Sequence, residues 1–260
     1  MDEFEAALFL ESTLPDIEPF GYITIPRKKY EDETVVKIDQ MVEITSLEQF
    51  TRYNQLVLGS EEFRIAVRGR TDLEISGFPE TTIDFNKVAT MKGGWSFWLG
   101  EAVCGVLTQK QYTGLNGLEG LNITEVEVKI PAEEDGANML GKVSIPNPSV
   151  ITIHMGDVTL DLSVDGEPIG TSLLPDLVLK PGTHEYDMRS TVQTLVVAGL
   201  IQSDYPDGIL PLEIVGNSSV VDGENIPYFE AAIQSNVIRL DLNAGPALVE
   251  AGLGGVLGAE

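Results

Sequence analysis

One cysteine, two histidines and two tryptophans are all that 260 residues offer of the side chains most often found at reactive or binding sites. Cys104 has no second cysteine to join, so no internal disulfide holds the fold, which leaves the redox compartment open. His154 and His184 have no cysteine, histidine or acidic partner at metal-ligand spacing on the same element. No Ser-His-Asp order and no glycine-rich phosphate loop is present, so the sequence points away from an enzyme. Basic residues are scarce too: 16 Lys and Arg stand against 41 Asp and Glu, a formal net charge of −25. Such a chain repels nucleic acid phosphates and anionic headgroups, which excludes nucleic acid as a charge-driven partner. Long apolar runs are also missing. The best, Leu195 to Ile201, falls far short of the ~20 residues that cross a bilayer. The opening "MDEFEAALFLESTL" is acidic where a secretory signal is basic.

What the chain does have is 43% hydrophobic residues, enough for a core in each of two domains, and an internal repeat. "DIEPFGYITIP" (Asp16 to Pro26) matches "DGEPIGTSLLP" (Asp165 to Pro175) at identical spacing. Ser46 to Gln49 matches Ser190 to Gln193, and both tetrapeptides read as capping boxes that open a helix. "FRIAVRG", with Phe63, Ile65, Val67 and Gly69, matches "LPLEIVG", with Leu210, Leu212, Ile214 and Gly216. Alternation of apolar and polar residues predicts strands over "ITEVEVKI", "MLGKVSI", "DVTLDLSV", "SLLPDLVL", "HEYDM", "LPLEIVG" and "NVIRLDL". Asp165-Gly166 reads as a type I′ hairpin and Pro181-Gly182 as a further turn. Seven short strands in each complete unit match the spacing of an immunoglobulin-like sandwich. The first copy starts at "EAALFLES", set against "DVTLDLSV", and so lacks the two strands that open the second; truncation of the chain is the expected reason.

Between Gly141 and Gly182 the pattern becomes more specific. Asn147-Pro148 follows a strand, a Gly precedes the next strand, and the Asp165-Gly166 hairpin leads to Ile169-Gly170 and the Pro181-Gly182 turn. In these features the chain resembles the late embryogenesis abundant type-two, or WHy, domain. It is similar to a fungal membrane-anchored uncharacterised family with tandem domains of that kind, which includes a vacuolar-membrane protein linked to the termination of autophagy. "GLNGLEGLNITEVEV" fits the way that family opens each unit. The resemblance implies an all-β fold of tandem immunoglobulin-like β-sandwiches with a short helix in each repeat, the first repeat being incomplete. It also implies a membrane partner through an anchor upstream, a vacuolar or other lumenal, extracytosolic location, no cofactor and no enzymatic activity. The function it implies is a binding or structural module of a membrane protein, with lipid or another membrane protein as partner. The alternative it raises is a lipid-binding or lipid-transfer module that holds an acyl chain between its sheets.

The domain organisation that follows is a truncated repeat over 1–93, an insertion or linker over 94–113, a complete repeat over 114–243 and a Gly-rich flexible tail over 244–260. The insertion holds Trp95, Trp98 and Cys104. Removing it joins two segments that read as continuous, so a retained intron or other gene-model error is expected there, with a real hydrophobic insertion as the alternative. The acidic clusters Tyr30 to Thr34 and Ala132 to Gly136 lack the spacing of a calcium loop and read as solvated turns. Asp157, Asp161 and Asp165 fall on the outward phase of one strand and are expected to keep an edge soluble. Leu47, Phe50, Asn54 and Val57, and likewise Val192, Leu195, Val196 and Gly199, follow helical spacing and are expected to face the core. Two N-glycosylation sequons occur, at Asn122 and Asn217; the second lies just past the strand ending at Gly216 and is the better of the two. No metal site is expected.

Overall fold

The structure is a computed structural model that describes residues 2–13, 18–27, 40–74, 77, 79–91, 115–149 and 152–256. Residues 94–113, with Trp95, Trp98 and Cys104, lie outside the described residues, as does the acidic cluster at 30–34. Two separate sheets form. The first has the order β2-β1-β3-β4, built from β1 (Phe4–Leu10), β2 (Gly21–Ile25), β3 (Phe63–Leu73) and β4 (Thr81–Met91). Helix α1 (Leu47–Gly59) joins β2 to β3.

The second sheet has eight strands. They are β5 (Asn122–Val128), β6 (Met139–Asn147), β7 (Ile153–Val164), β8 (Glu167–Leu179), β9 (Gly182–Val192), β10 (Ile209–Val221), β11 (Glu224–Asn225) and β12 (Val237–Asn243). The order is β11-β10-β7-β8-β9-β6-β5, with β12 also pairing β10. Helices α2 (Thr194–Ser203), α3 (Pro227–Gln234) and α4 (Gly245–Glu250) complete the unit.

This architecture corrects the expected all-β tandem sandwich. An immunoglobulin-like sandwich divides its strands between two packed sheets. Here the hydrogen-bond ladder of the second unit runs unbroken from β12 to β5, the first unit is a single four-stranded sheet, and four α-helices cover them: a mixed α/β fold on two open sheets. Period-two alternation shows that one face of each strand is buried, but not whether a sheet or a helix covers it. Residues 245–250, expected as the start of a flexible tail, form α4, with Ala247 and Leu248 buried on the second core.

The internal repeat, by contrast, is visible in the pairing. β1 lies between β2 and β3 as β7 lies between β8 and β10, all antiparallel. Leu8 stands opposite Gly21 and Val67; Leu162 stands opposite Gly170 and Ile214. These registers match Leu8 to Leu162, so β1 aligns two residues further along β7 than the sequence comparison sets it. An even shift leaves every side chain on its own face, which is why alternation alone did not detect it.

The repeated glycines have a common cause. A Cβ on Gly21 would lie 3.0 Å from the carbonyl oxygen of Glu43, and one on Gly170 would lie 2.2 Å from that of Thr191. In both copies the chain that follows crosses the strand at that point, as the Gly21–Ile44 bridge and the Gly170–Val192 pair record. On the third strand, Gly69 leaves room for the ring of Phe4 and Gly216 for Ile233.

Two helix expectations part ways. Ser46 caps α1, its Oγ accepting from the Gln49 N–H at 3.4 Å, although the Gln49 side-chain oxygen is buried without a partner, so only half of the box forms. Ser190 caps nothing. It lies in β9 opposite Ser172, where the two buried hydroxyls bond at 3.0 Å, and α2 starts later at Thr194. Sheet pairing outcompetes the local cap there, because leaving a strand residue unpaired in the core costs more than a cap returns.

Substituting Gly216 tests this packing. A Cβ there would sit 2.3 Å from Ile233 Cγ1, so Gly216→Ala is expected to destabilise the fold by about 1–3 kcal/mol. Urea unfolding measures it, and Ile233→Ala in the same chain is not expected to recover the loss, because a Cβ at 216 would still lie 2.4 Å from the Cβ and 2.8 Å from the carbonyl carbon of residue 233.

Candidate functional site

The second unit contains an apolar cavity of about 60 Å³. Val126 and Met139 reach it from one end of the strand order and Leu210 and Leu242 from the other, while Val197 of α2 and Leu248 of α4 close it over. Two polar residues, Asn138 and Thr194, touch it. Asn138 is fully engaged: its Oδ1 accepts from the Val192 N–H at 2.7 Å, and its Nδ2 donates to the Val192 carbonyl at 2.7 Å and to Thr194 Oγ1 at 3.3 Å. A smaller apolar cavity of about 40 Å³ lies at the other end of the unit, lined by Leu58, Leu118, Ile145, Leu177, Ile233 and Ile238.

Between the units runs a row of aromatic rings. Tyr53 stacks on Phe20 at 5.0 Å and on Phe50 at 5.6 Å, and meets Phe63 edge-on at 5.8 Å. Phe50 meets Tyr228 of α3 edge-on at 5.0 Å, and Tyr228 meets Phe229 at 4.8 Å. Gln55 Nε2 donates across the same seam to the Ala231 carbonyl at 3.3 Å, and the Leu115 N–H donates to the Val57 carbonyl at 3.1 Å. Of the helical stripe expected to face the core, Asn54 and Val57 are buried, but Leu47 is 54% exposed; in the second copy Leu195 is 89% exposed and Val192 belongs to β9. The residue that reaches the first core instead is Tyr53, three after Phe50.

The acidic residues serve as ties. Asp157 accepts from the Asp176 N–H at 2.9 Å, Asp161 accepts from Asn217 Nδ2 through both oxygens at 2.9 Å, and Asp165 accepts from the Tyr205 hydroxyl. All three point outward as expected, yet β7 lies inside the sheet, so they do not protect an edge. In the Ala132–Gly136 loop, Glu133 and Asp135 grip Arg189 at 2.6 Å each. The backbone N–H of Ala137, then Arg189, hold the Asp135 carboxyl below the usual carboxylate value.

His154 is an exposed residue of β7, within the strand and not beside a turn, and His184 lies in β9 with Nε2 2.8 Å from the Pro181 carbonyl. Among the described residues no group of three or more His, Cys, Asp or Glu could hold a metal ion, and no helix is long and apolar enough to cross a membrane. Asn122 is exposed at the start of β5, an end strand of the sheet. Asn217 is not in a turn: β10 continues to Val221, and Asn217 sits at a bulge between Gly216 and Ser218 with its amide held by Asp161. The sequon hydroxyl of Ser219 is buried and donates to the Met155 carbonyl at 2.7 Å. Both sequon asparagines are exposed, and the bonds of Asn217 to Asp161 are what distinguishes the two.

A family described as "Protein of unknown function (DUF3712)" matches residues 18–162, more than half of the chain and parts of both units. No curated protein and no solved structure matches. The matching family is one of unknown function, and the match carries none of the late-embryogenesis, WHy, fungal, vacuolar or lipid-binding terms of the resemblance.

The Asp165–Tyr205 bond, helped by partial desolvation, pushes the Tyr205 phenol up to about 12. A phenol raised above its ordinary ~10 stabilises the fold fully below about pH 10 and loses that contribution as the pH rises through 12. Ultraviolet titration is expected to show the Tyr205 phenolate forming late, and Asp165→Asn to bring it back toward 10.

Proposed function

We propose that this chain, which belongs to the DUF3712 family of proteins of unknown function, is a non-catalytic structural and binding module in which two sheets act as one scaffold. The observation that carries this reading is the aromatic seam of α1 and α3, where Phe50 of the first unit meets Tyr228 of the second. The use of buried polar groups supports it. Thr71 donates to the Asp2 carbonyl, Asn147 to the Leu179 carbonyl and Ser219 to the Met155 carbonyl, each a tie between elements of the fold. Side-chain chemistry is spent on rigidity, as a scaffold requires.

An aromatic edge contact of this kind contributes about 0.5–1.5 kcal/mol beyond the area it buries. Phe50→Ala and Tyr228→Ala are therefore expected to couple by that amount in a double-mutant cycle. Residual dipolar couplings are expected to fit one alignment tensor for both sheets in the unaltered chain and two in the double variant. Independent tensors in the unaltered chain would sink the scaffold reading.

The proposal also places the module on the extracytosolic side of a membrane, supported by the exposed sequon at Asn122. Expression through a secretory pathway is expected to give higher glycan occupancy at Asn122 than at Asn217, read by peptide mass mapping. Unmodified asparagine at both positions counts against that placement.

A further inference from the structure

We infer that the larger cavity of the second unit is a binding site for a compact apolar molecule, of the size of a xenon atom or a few methylenes. Its volume of about 60 Å³ is several times the ~10–15 Å³ one water needs, so it has room for something larger than one solvent molecule. A buried water needs two to four polar partners, and of the two polar residues at the wall Asn138 has already spent its amide on Val192 and Thr194. A site with room and only two polar residues at its wall favours a ligand that brings apolar surface and asks for few hydrogen bonds.

The walls supply an entrance. α2 is apolar over nearly its whole length, yet only Ile201 is fully buried, and Leu195 projects into solvent at 89% exposure. α4 is six residues long and exposes Val249 at 58%. Short helices with apolar residues outside as well as inside are weakly tied to what lies beneath, which is where local opening is cheapest. The cavity is too small for an acyl chain, so the ligand class differs from the one the family resemblance suggested.

This inference deepens the reading of the chain as a binding module and rests on it, but the seam experiments do not depend on it. Xenon is the probe, applied at rising pressure to the methyl-labelled full chain. Saturable shifts of the Leu210, Leu242 and Leu248 methyls are expected. Ala198→Leu, which extends a wall residue into the space, is expected to weaken binding at least tenfold. Absence of saturable shifts overturns the inference, as do shifts centred on Leu58, Leu118 and Leu177 around the smaller cavity. If Ala198→Leu does not fold, the unaltered chain decides by the same three leucines: shifts there support the site, and none overturn it.

Discussion

The contact of α1 with α3 joins the two units of this chain. The two sheets share no strand, and each has its own core. α1 serves both. Tyr53 and Val57 close the first core, Leu58 belongs to the second, and Phe50 lies between them against Tyr228. A helix can do this because residues three and four apart lie on one face while an offset of one turns the side chain toward a different neighbour. Ile153, packed against both cores, and Gly59, close to the Asn236 side chain, complete the join.

α3 occupies the place that half a strand holds in the other copy. β4 pairs β3 over its full length, from Phe63 opposite Met91 to Leu73 opposite Thr81. β12 follows β10 only as far as Val215, and past Gly216 the ladder gives way to α3, whose Ile233 sits on that glycine. Where the first unit continues its sheet the second has a helix, and that helix is what the first unit docks on. Burial of polar groups follows the same economy, since Ser172, Ser190 and Ser219 satisfy one another or backbone where strands would otherwise leave donors unmet.

Much of this was readable from residues alone, and the limits are physical. Matching glycines at 21 and 170, and at 69 and 216, identified the repeat because close approach leaves no other choice of residue. Asp165-Gly166 forms the expected type I′ turn, with φ of 50° and 78°. The strands were legible by alternation. What covers them was not, since helix and sheet bury a strand face equally well, and the sandwich expectation failed on that point. α3 announces itself only through Pro227 at its first turn, and α4 only through Pro246, signals too weak alone to end a loop. The cavity had no sequence signal at all, because its walls come from strands and helices far apart in the chain. Ser190 shows the opposite failure: a correct local motif overruled by long-range pairing.

The divergence of β4 from β12 has a bearing on how the chain folds. Two units with the same strand order in one chain risk pairing with each other's strands while still unfolded, and such cross-pairing is a characteristic trap of repeat proteins. A strand as long as β4 seated along β10 would meet α3 past Gly216, where Ile233 sits on that glycine, and displacing α3 would remove the partner of Phe50. The two copies therefore do not offer interchangeable edges: β3 takes a partner strand over its full length, whereas the corresponding edge of β10 takes β12 only up to Val215 and a helix beyond it.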